Sequence, residues 1–374
     1  MAHDSLRLTV GGAEVEEKLY RDLIRVEVEL DEELAGMCRL TLALELGPDG
    51  RWSHLDDDGL APWQPLTVTA GVEDDTRELF AGYITHVRPD FGDGLDQCRL
   101  ELWAMDASVL LDRDDVLKDW PNKSDSDIAR ETFQAYGLDA VVTDTAVIHD
   151  EQVSTIIQRE TDMQFLRRLA ARNGFETYVE GNRGYFGPPV VSTSRQPVLA
   201  AQFGDATNVT RFSLEVNALA PSTVAMSQVD HLTKELLDVT AEEATQTPLG
   251  RRPLAGYLAA GMSPGLVRPG SAVTTGSPEM RALCQSLFDR GDWFVTGSGE
   301  IDSHRYGAVL TPRATVVVKG VGETHSGTYY VTRVTHVFTP DGYRQSFGVK
   351  RNAVRPTGSE DFAGGGAGLA GVLP

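Results

Sequence analysis

Fifty-five Asp and Glu, eight His and three Cys are the side chains of this 374-residue chain that could carry acid-base chemistry or hold a metal. Their spacing decides what they could do. Glycoside hydrolysis needs two carboxylates flanking one bond, but no spacing singles out a pair among fifty-five. His86 and His336 each follow a threonine in a strand-like run, where an imidazole is either a general base or a structural side chain. HExxH, a Walker A loop and GxGxxG following a strand are not spelled, so zinc-protease, phosphate-loop and dinucleotide chemistry have no support. Cys38, Cys98 and Cys284 are odd in number, far apart and outside any CxxC, which fits neither a disulfide framework nor a zinc site. They read as buried reduced thiols, in keeping with synthesis in a reducing compartment. The acidic clusters Asp31–Glu33, Asp56–Asp58 and Glu73–Asp75 lack the spaced ligands of a calcium loop, and Asp57-Asp58-Gly59 has turn chemistry. No catalytic, cofactor-binding or metal residue is assigned, and no cofactor is expected.

Charge narrows the partners. The net charge is −21, and the excess sits early: residues 1–110 hold 24 acids against 9 bases, whereas residues 191–374 hold 16 of each. Phosphate contacts need clustered Lys and Arg, so nucleic acid is excluded as a partner. The acidic first third reads either as solvated loop tips or as a surface that lines a lumen or meets a basic partner. The longest uncharged stretches, such as 253–267, are short and broken by Gly and Pro, so no membrane insertion is expected. The opening MAHDSLRLTVGG has no apolar core and predicts no signal peptide, hence cytoplasmic assembly.

Periodicity supplies the elements. LIRVEVEL (23–30), CRLTLAL (38–44), QPLTVTAGV (64–72), ELFAGYITHV (78–87) and QCRLELWAM (97–105) alternate or run apolar between turn signals, as strands of an antiparallel sandwich or small barrel do. SDSDIARETFQAYG (124–137) and ETDMQFLRRLAARNGF (160–175) read as helices. The first is capped by Ser or Asp and stopped by Gly137; the second is capped by Thr161 and stopped by Gly174. Phe165, Leu166, Leu169 and Ala170 form the stripe of the second, and a hairpin closes through Gly181-Asn182. Strands return at 207–219, 222–230, 314–321, 328–338 and 343–353.

The first and last thirds resemble each other. QPLTVTAGVED, LFAGYITHVRPDFGDG and CRLELWAMDAS recur in order as PRATVVVKGVGE, THSGTYYVTRVTHVFTPDG and YRQSFGVKRNA. Pro65 matches Pro312, Gly82 matches Gly327, Tyr83-Ile84-Thr85 matches Tyr330-Val331-Thr332, and 24–40 aligns with 210–226. Two copies of one unit follow, the glycine before each tyrosine marking a bulge or a close backbone approach. The expected fold is mainly β with an α+β insertion: two similar antiparallel β-barrels flanking a small α+β domain. The expected boundaries are 1–110 for the first barrel and 111–195 for the α+β domain. The second barrel spans 196–355, with connector 240–278 and helix 277–291 inserted, and 356–374 forms a flexible Gly/Ala-rich tail.

The run LFAGYITHVRPDF, SDIARETFQAYG, ETDMQFLRRLAARNGFETYVEGNRGYFGPP and GTYYVTRVTHVF–GYRQSFGVKRNA resembles the phage late-control D family over about residues 5–355. These are baseplate hubs of contractile tails, similar to the hub portion of type VI secretion VgrG spike proteins. The resemblance implies a homotrimer whose six barrels adapt a hexameric inner tube to a trimeric spike, among other baseplate components. It implies no catalysis, and a spike on a separate chain, since no needle repeat or lysozyme-like segment follows residue 355. The alternative is a tail-associated cell-wall-degrading enzyme, and the choice between a phage tail and a bacterial injection system stays open.

Overall fold

The computed structural model describes residues 4–72, 75–153, 155–191, 196–219, 223–230, 232–258, 262, 265–270 and 274–362. Glu73 and Asp74 of one acidic cluster, and residues 363–374 of the expected tail, lie outside the described residues. Twelve labelled strands and the two-residue strand Ala13–Glu14 build the main sheet. In the first third they are β1 (Asp4–Val10), β2 (Leu23–Asp31), β3 (Met37–Ala43), β4 (Pro65–Val72), β5 (Asp75–Asp90) and β6 (Arg99–Asp106). In the last third they are β7 (Gln196–Ala200), β8 (Val209–Val216), β9 (Val295–Asp302), β10 (Thr315–Lys319), β11 (Gly327–Thr339) and β12 (Gly342–Arg351).

The two halves repeat the same antiparallel path over five strands and differ at the sixth, where β1 pairs antiparallel with β4 but β7 pairs parallel with β10. The first runs β2-β3-β6-β5-β4-β1 and the second β8-β9-β12-β11-β10-β7, and β2 pairs antiparallel with β11 to join them in one 13-stranded sheet whose last member is Ala13–Glu14. Backbone irregularities coincide as well. The β2–β3 ladder slips at Ile24 and the β8–β9 ladder at Thr210. The β5–β6 ladder slips at Thr85 and the β11–β12 ladder at Thr332. Trp63 and Arg313 both adopt a left-handed φ, and their N–H groups donate to the carbonyls of Ile84 and Val331. A bulge is set by the path of the whole sheet, so shared bulges are stronger testimony to a repeat than shared residue types.

The mainly β class and the α+β insertion are therefore present, with three corrections. No closed barrel forms among the described residues. Closing the first half would need β1 to pair with β2, but the outer edge of β2 is taken by β11. Two separate cores nevertheless fill the two curled halves, one around Val28, Leu40, Leu102 and Ile84, the other around Val316, Tyr329, Val331 and Phe347. Second, the counterpart of β3 is β9 rather than 222–230. Val224–Val229 instead pairs with Leu236–Ala241 in a hairpin of its own, so the second copy is interrupted over 217–294, between β8 and β9. Third, the bulge lies at Thr85 and Thr332, not at the glycines. Gly82 marks a close approach, since a Cβ there would stand 2.1 Å from the Met105 carbonyl. Its structural counterpart is Tyr329, and that of Pro65 is Thr315, because Pro65 faces Tyr83 as Thr315 faces Tyr330.

Between the halves, α1 (Asp125–Ala135) and α2 (Asp162–Asn173) pack on a three-stranded sheet of Asp139–Val142, Arg183–Gly187 and Glu176–Glu180. Their ends follow local chemistry. Ser124 and Asp127 form a reciprocal capping box on α1, Thr161 caps α2, and Gly174 ends α2 at φ 70°. Phe165, Leu166, Leu169 and Ala170 are buried on the inner face of α2. The excursion 217–294 carries its own small core, in which Met280, Cys284 and Phe288 of α3 (Ser277–Gly291) cover the 224–241 hairpin. All three cysteines are free and buried.

Candidate assembly interface

The residues singled out for chemistry do not converge. His336 is fully buried in β11, its Nδ1 2.7 Å from the Tyr343 hydroxyl, and its Nε2 meets no hydrogen-bond partner among the described residues. Burial pushes its pKa down to about 3, so it stays neutral and reaches no substrate. His86 is exposed on β5, beside Trp103. Asp57 accepts from Gly59 N and Asp31 from Glu33 N and Leu34 N, which makes both acidic clusters turn-builders. Residues 261–265 also spell GMSPG, the letters of a nucleophile elbow, which requires a strand entering and a helix leaving. Its described flanks are a 3-10 turn at Leu254–Tyr257 and an isolated bridge at Val267, and Ser263 lies outside the described residues.

What the fold does present is edges. Along β11, Gly327–Tyr330 pairs with β10, and past the Thr332 bulge Arg333–Phe338 pairs with β2. That seam is well made: Val334 faces Leu30 and is 0% exposed, and Phe338 faces Val26 and is 7% exposed. The first copy has the same half-edge on β5, but from His86 to Asp90 the described residues hold a partner only on the β6 side. There Val87, the counterpart of Val334, is 37% exposed, and Phe91, the counterpart of Phe338, is 53% exposed. At the far end of the sheet β8, the counterpart of β2, pairs only with β9 among the described strands. Val216, the counterpart of Leu30, is 40% exposed. An open strand edge with apolar side chains is a template for another strand.

Two buried charge clusters hold the parts of the chain against one another. In the first, the Asp125 carboxylate at the start of α1 takes a forked pair of bonds from Arg172 near the end of α2. His149 and Asn173 also lie within hydrogen-bond distance. Burial raises the Asp125 carboxyl, but the bonds from His149 and Arg172 and the guanidinium charge outweigh it and hold it at about 2. Arg172 also reaches Glu279 on α3, 3.2 Å away, and so ties the excursion to the α+β unit.

In the second, Tyr330 of β11 donates to Glu176 at 2.9–3.0 Å, while Lys350 of β12 pairs with Glu32 of the β2–β3 turn. Burial pushes Glu176 up to about 7, against the pull of Lys350, with Glu32 adding to the rise. A carboxyl raised from 4.5 in the unfolded chain destabilises the fold progressively as pH climbs from about 4.5 to 7. Glu176→Gln keeps an acceptor for Tyr330 without the charge. It is expected to raise stability by about 1–2 kcal/mol at pH 8 and to change little at pH 5. Thermal melts of the two chains at both pH values read this out.

The comparisons agree with this architecture. No curated protein matches the sequence. The 43 kDa tail protein of prophage MuSo2 from Shewanella oneidensis is similar in structure, with a TM-score of 0.66 at 13% identity, over 94% of this chain and 100% of that one. A tail protein from Neisseria meningitidis MC58 gives 0.62 at 14%, over 94% and 98%. The E. coli c3393 protein gives 0.52 at 13%, over 94% and 79%; it is described as a component of the type VI secretion system with structural similarity to T4 bacteriophage tail proteins gp27 and gp5. Phage tail and type VI secretion proteins are thus the structural neighbours the resemblance to baseplate hubs implies. Residues 3–339 match the model of the Alg8 N-terminal domain, and the chain belongs to that family.

Proposed function

We propose that this protein is a structural baseplate hub, a homotrimer that adapts a hexameric inner tube to a trimeric spike. The observation that carries the reading is the repeat itself. Two units that share a five-stranded antiparallel path and its bulges sit side by side in each chain, so three chains supply six near-equivalent units around one axis.

The connections support a polarity. At one end of the strands both units carry direct links: 44–64 and 303–314, 91–98 and 340–341. At the other end the equivalence breaks. There the first unit has a short turn at 32–36 where the second has the 217–294 excursion, and the α+β unit leaves from Asp106. The first end suits a sixfold partner and is assigned to the tube; the second occurs three times per trimer and is assigned to the spike. The domains follow as 1–110, 111–195 and 196–355. The role is assembly rather than catalysis.

Among the described residues no helix is long and apolar enough to cross a membrane. Molar mass by light scattering behind size exclusion, with and without the neighbouring spike candidate, tests the proposal. A trimer, or a monomer that becomes one when spike is added, is the expected result. A monomer indifferent to spike and tube proteins removes it.

A further inference from the structure

We infer that the α+β unit is a two-point clamp across the β2–β11 seam, and that a proton on Glu176 decides whether its second grip is closed. The two points are counterparts in the repeat. Trp63 and Arg313 hold the same left-handed position in the two halves, and each carries a cation–π contact to the α+β unit. Arg113, a few residues past β6, places its guanidinium 4.9 Å from the centre of the Trp63 ring. Arg313 places its own 3.6 Å from the centre of the Tyr178 ring. The cation belongs to the α+β unit in the first contact and to the main sheet in the second. One insertion thus touches both halves at equivalent places.

The two grips meet water differently. The first is open, with Trp63 46% exposed and Arg113 exposed. The second is gathered around Glu176, which accepts from the Tyr330 hydroxyl, and Tyr330 is 0% exposed. The groups facing that carboxyl are Tyr330 of β11, Lys350 of β12, Glu32 of the β2–β3 turn, Arg313, and Tyr178 of its own strand. Neither cation is free to serve it. Lys350 pairs with Glu32, and Arg313 lies on Tyr178 while donating to the Asp31 carbonyl. As a neutral acid, Glu176 closes the grip through Tyr330. Once ionised, it must draw on a cation already engaged, or the strand Glu176–Glu180 must part from β11 and admit water. Burial pushes the closed carboxyl up to about 7, whereas open to water it titrates near 4.5. Each pH unit between those values therefore multiplies the open population about tenfold, and above 7 the rise levels off. Arg172 holds Glu279 of α3, so the 217–294 excursion moves with the unit. The clamp goes beyond the hub reading and needs no partner.

Hydroxyl-radical footprinting of the full chain from pH 5 to 8, read residue by residue, tests the clamp. Because Tyr330 is fully covered when the grip is closed, its oxidation rate follows the open population. That rate is expected to rise about tenfold per pH unit up to about pH 7 and then level off. Trp63 should stay level, and Phe347 in the second core should stay protected. Glu176→Gln should hold Tyr330 at its low-pH rate throughout. Glu32→Gln frees Lys350 for Glu176 and should move the rise to lower pH. Arg113→Ala should raise Tyr330 oxidation by one factor at every pH and leave the slope as it was. The clamp is wrong if Tyr330 oxidation does not change with pH, or if its slope survives Glu176→Gln. It is also wrong if Phe347 is oxidised as fast as Tyr330, because the whole chain is then opening. Light scattering decides the trimer separately, so the hub reading stands or falls by itself.

Discussion

Arg172→Ala will destabilise the α+β unit by about 3–5 kcal/mol, the largest single-residue loss expected on the α1–α2 face. The reason is the carboxylate it leaves behind. Asp125 is 2% exposed and ionised across the physiological range, held there by the Arg172 fork. Without the guanidinium, Asp125 must either remain charged in a place water does not reach or take up a proton at a cost in free energy. Arg172→Ala also releases Glu279, so α3 should loosen along with α2. Pairing it with Asp125→Asn separates the two effects, because a neutral amide removes the buried charge and the double variant should recover much of the loss. The pH dependence has a definite sign. A carboxyl at about 2 in the fold and near 3.8 when unfolded stabilises the native chain above 3.8, and that contribution disappears as pH falls through 2. Denaturant melts of the wild type between pH 5 and 2.5 should show this slope, and Arg172→Ala should flatten it. A loss under 1 kcal/mol would show that solvent reaches Asp125 far more freely than its burial indicates.

The second large effect contrasts two counterpart valines. Val334→Asp places a carboxylate in the closed β2–β11 seam, where the side chain is 0% exposed and belongs to the second apolar core. Burying an unpaired charge costs several kcal/mol, here about 3 kcal/mol or more, and the two halves of the sheet should part from one another in the melt. Val87→Asp makes the same chemical change at the same place in the other copy. Its side chain is 37% exposed on an edge that pairs with no other strand among the described residues, so monomer stability should move by no more than about 0.5 kcal/mol. Under the trimer proposed above, its effect should appear in assembly instead, as a lower molar mass by light scattering with an unchanged melt of the isolated chain. Equal destabilisation by both substitutions would show that the β5 edge is already covered within the monomer.

Much of this molecule was legible in its residues. Helix ends were readable because capping is local: Ser124, Thr161 and Gly174 satisfy or terminate a helix with atoms from within a turn of themselves. The alignment of residue 24 with 210 held to the bulge, since a period-two pattern with one face buried leaves no freedom of register. Strand β9 was not legible. VTGSGEID carries two glycines, and only the sheet explains them: a Cβ at Gly299 would stand 2.6 Å from the Phe347 ring, which stacks there on Phe212. Without that sheet, the strand-like 222–230 is the better sequence match to β3, and an inserted segment of 240–278 is shorter than the 217–294 excursion of the fold.

By itself, then, the order of residues determined the local elements, the existence of a repeat and the family resemblance, all of which depend on neighbours in the chain or on the comparison of two segments. Which edges are joined and which stand open was decided only by the tertiary structure. Arg333–Phe338 and His86–Phe91 have similar strand character, and nothing within either segment says that the outer edge of one meets β2 and that of the other meets no strand among the described residues. That difference arises from one connection. The chain can fold β2 onto β11 through the α+β unit, whereas β8 and β5 lie at opposite sides of the joined pair, with the whole sheet between them.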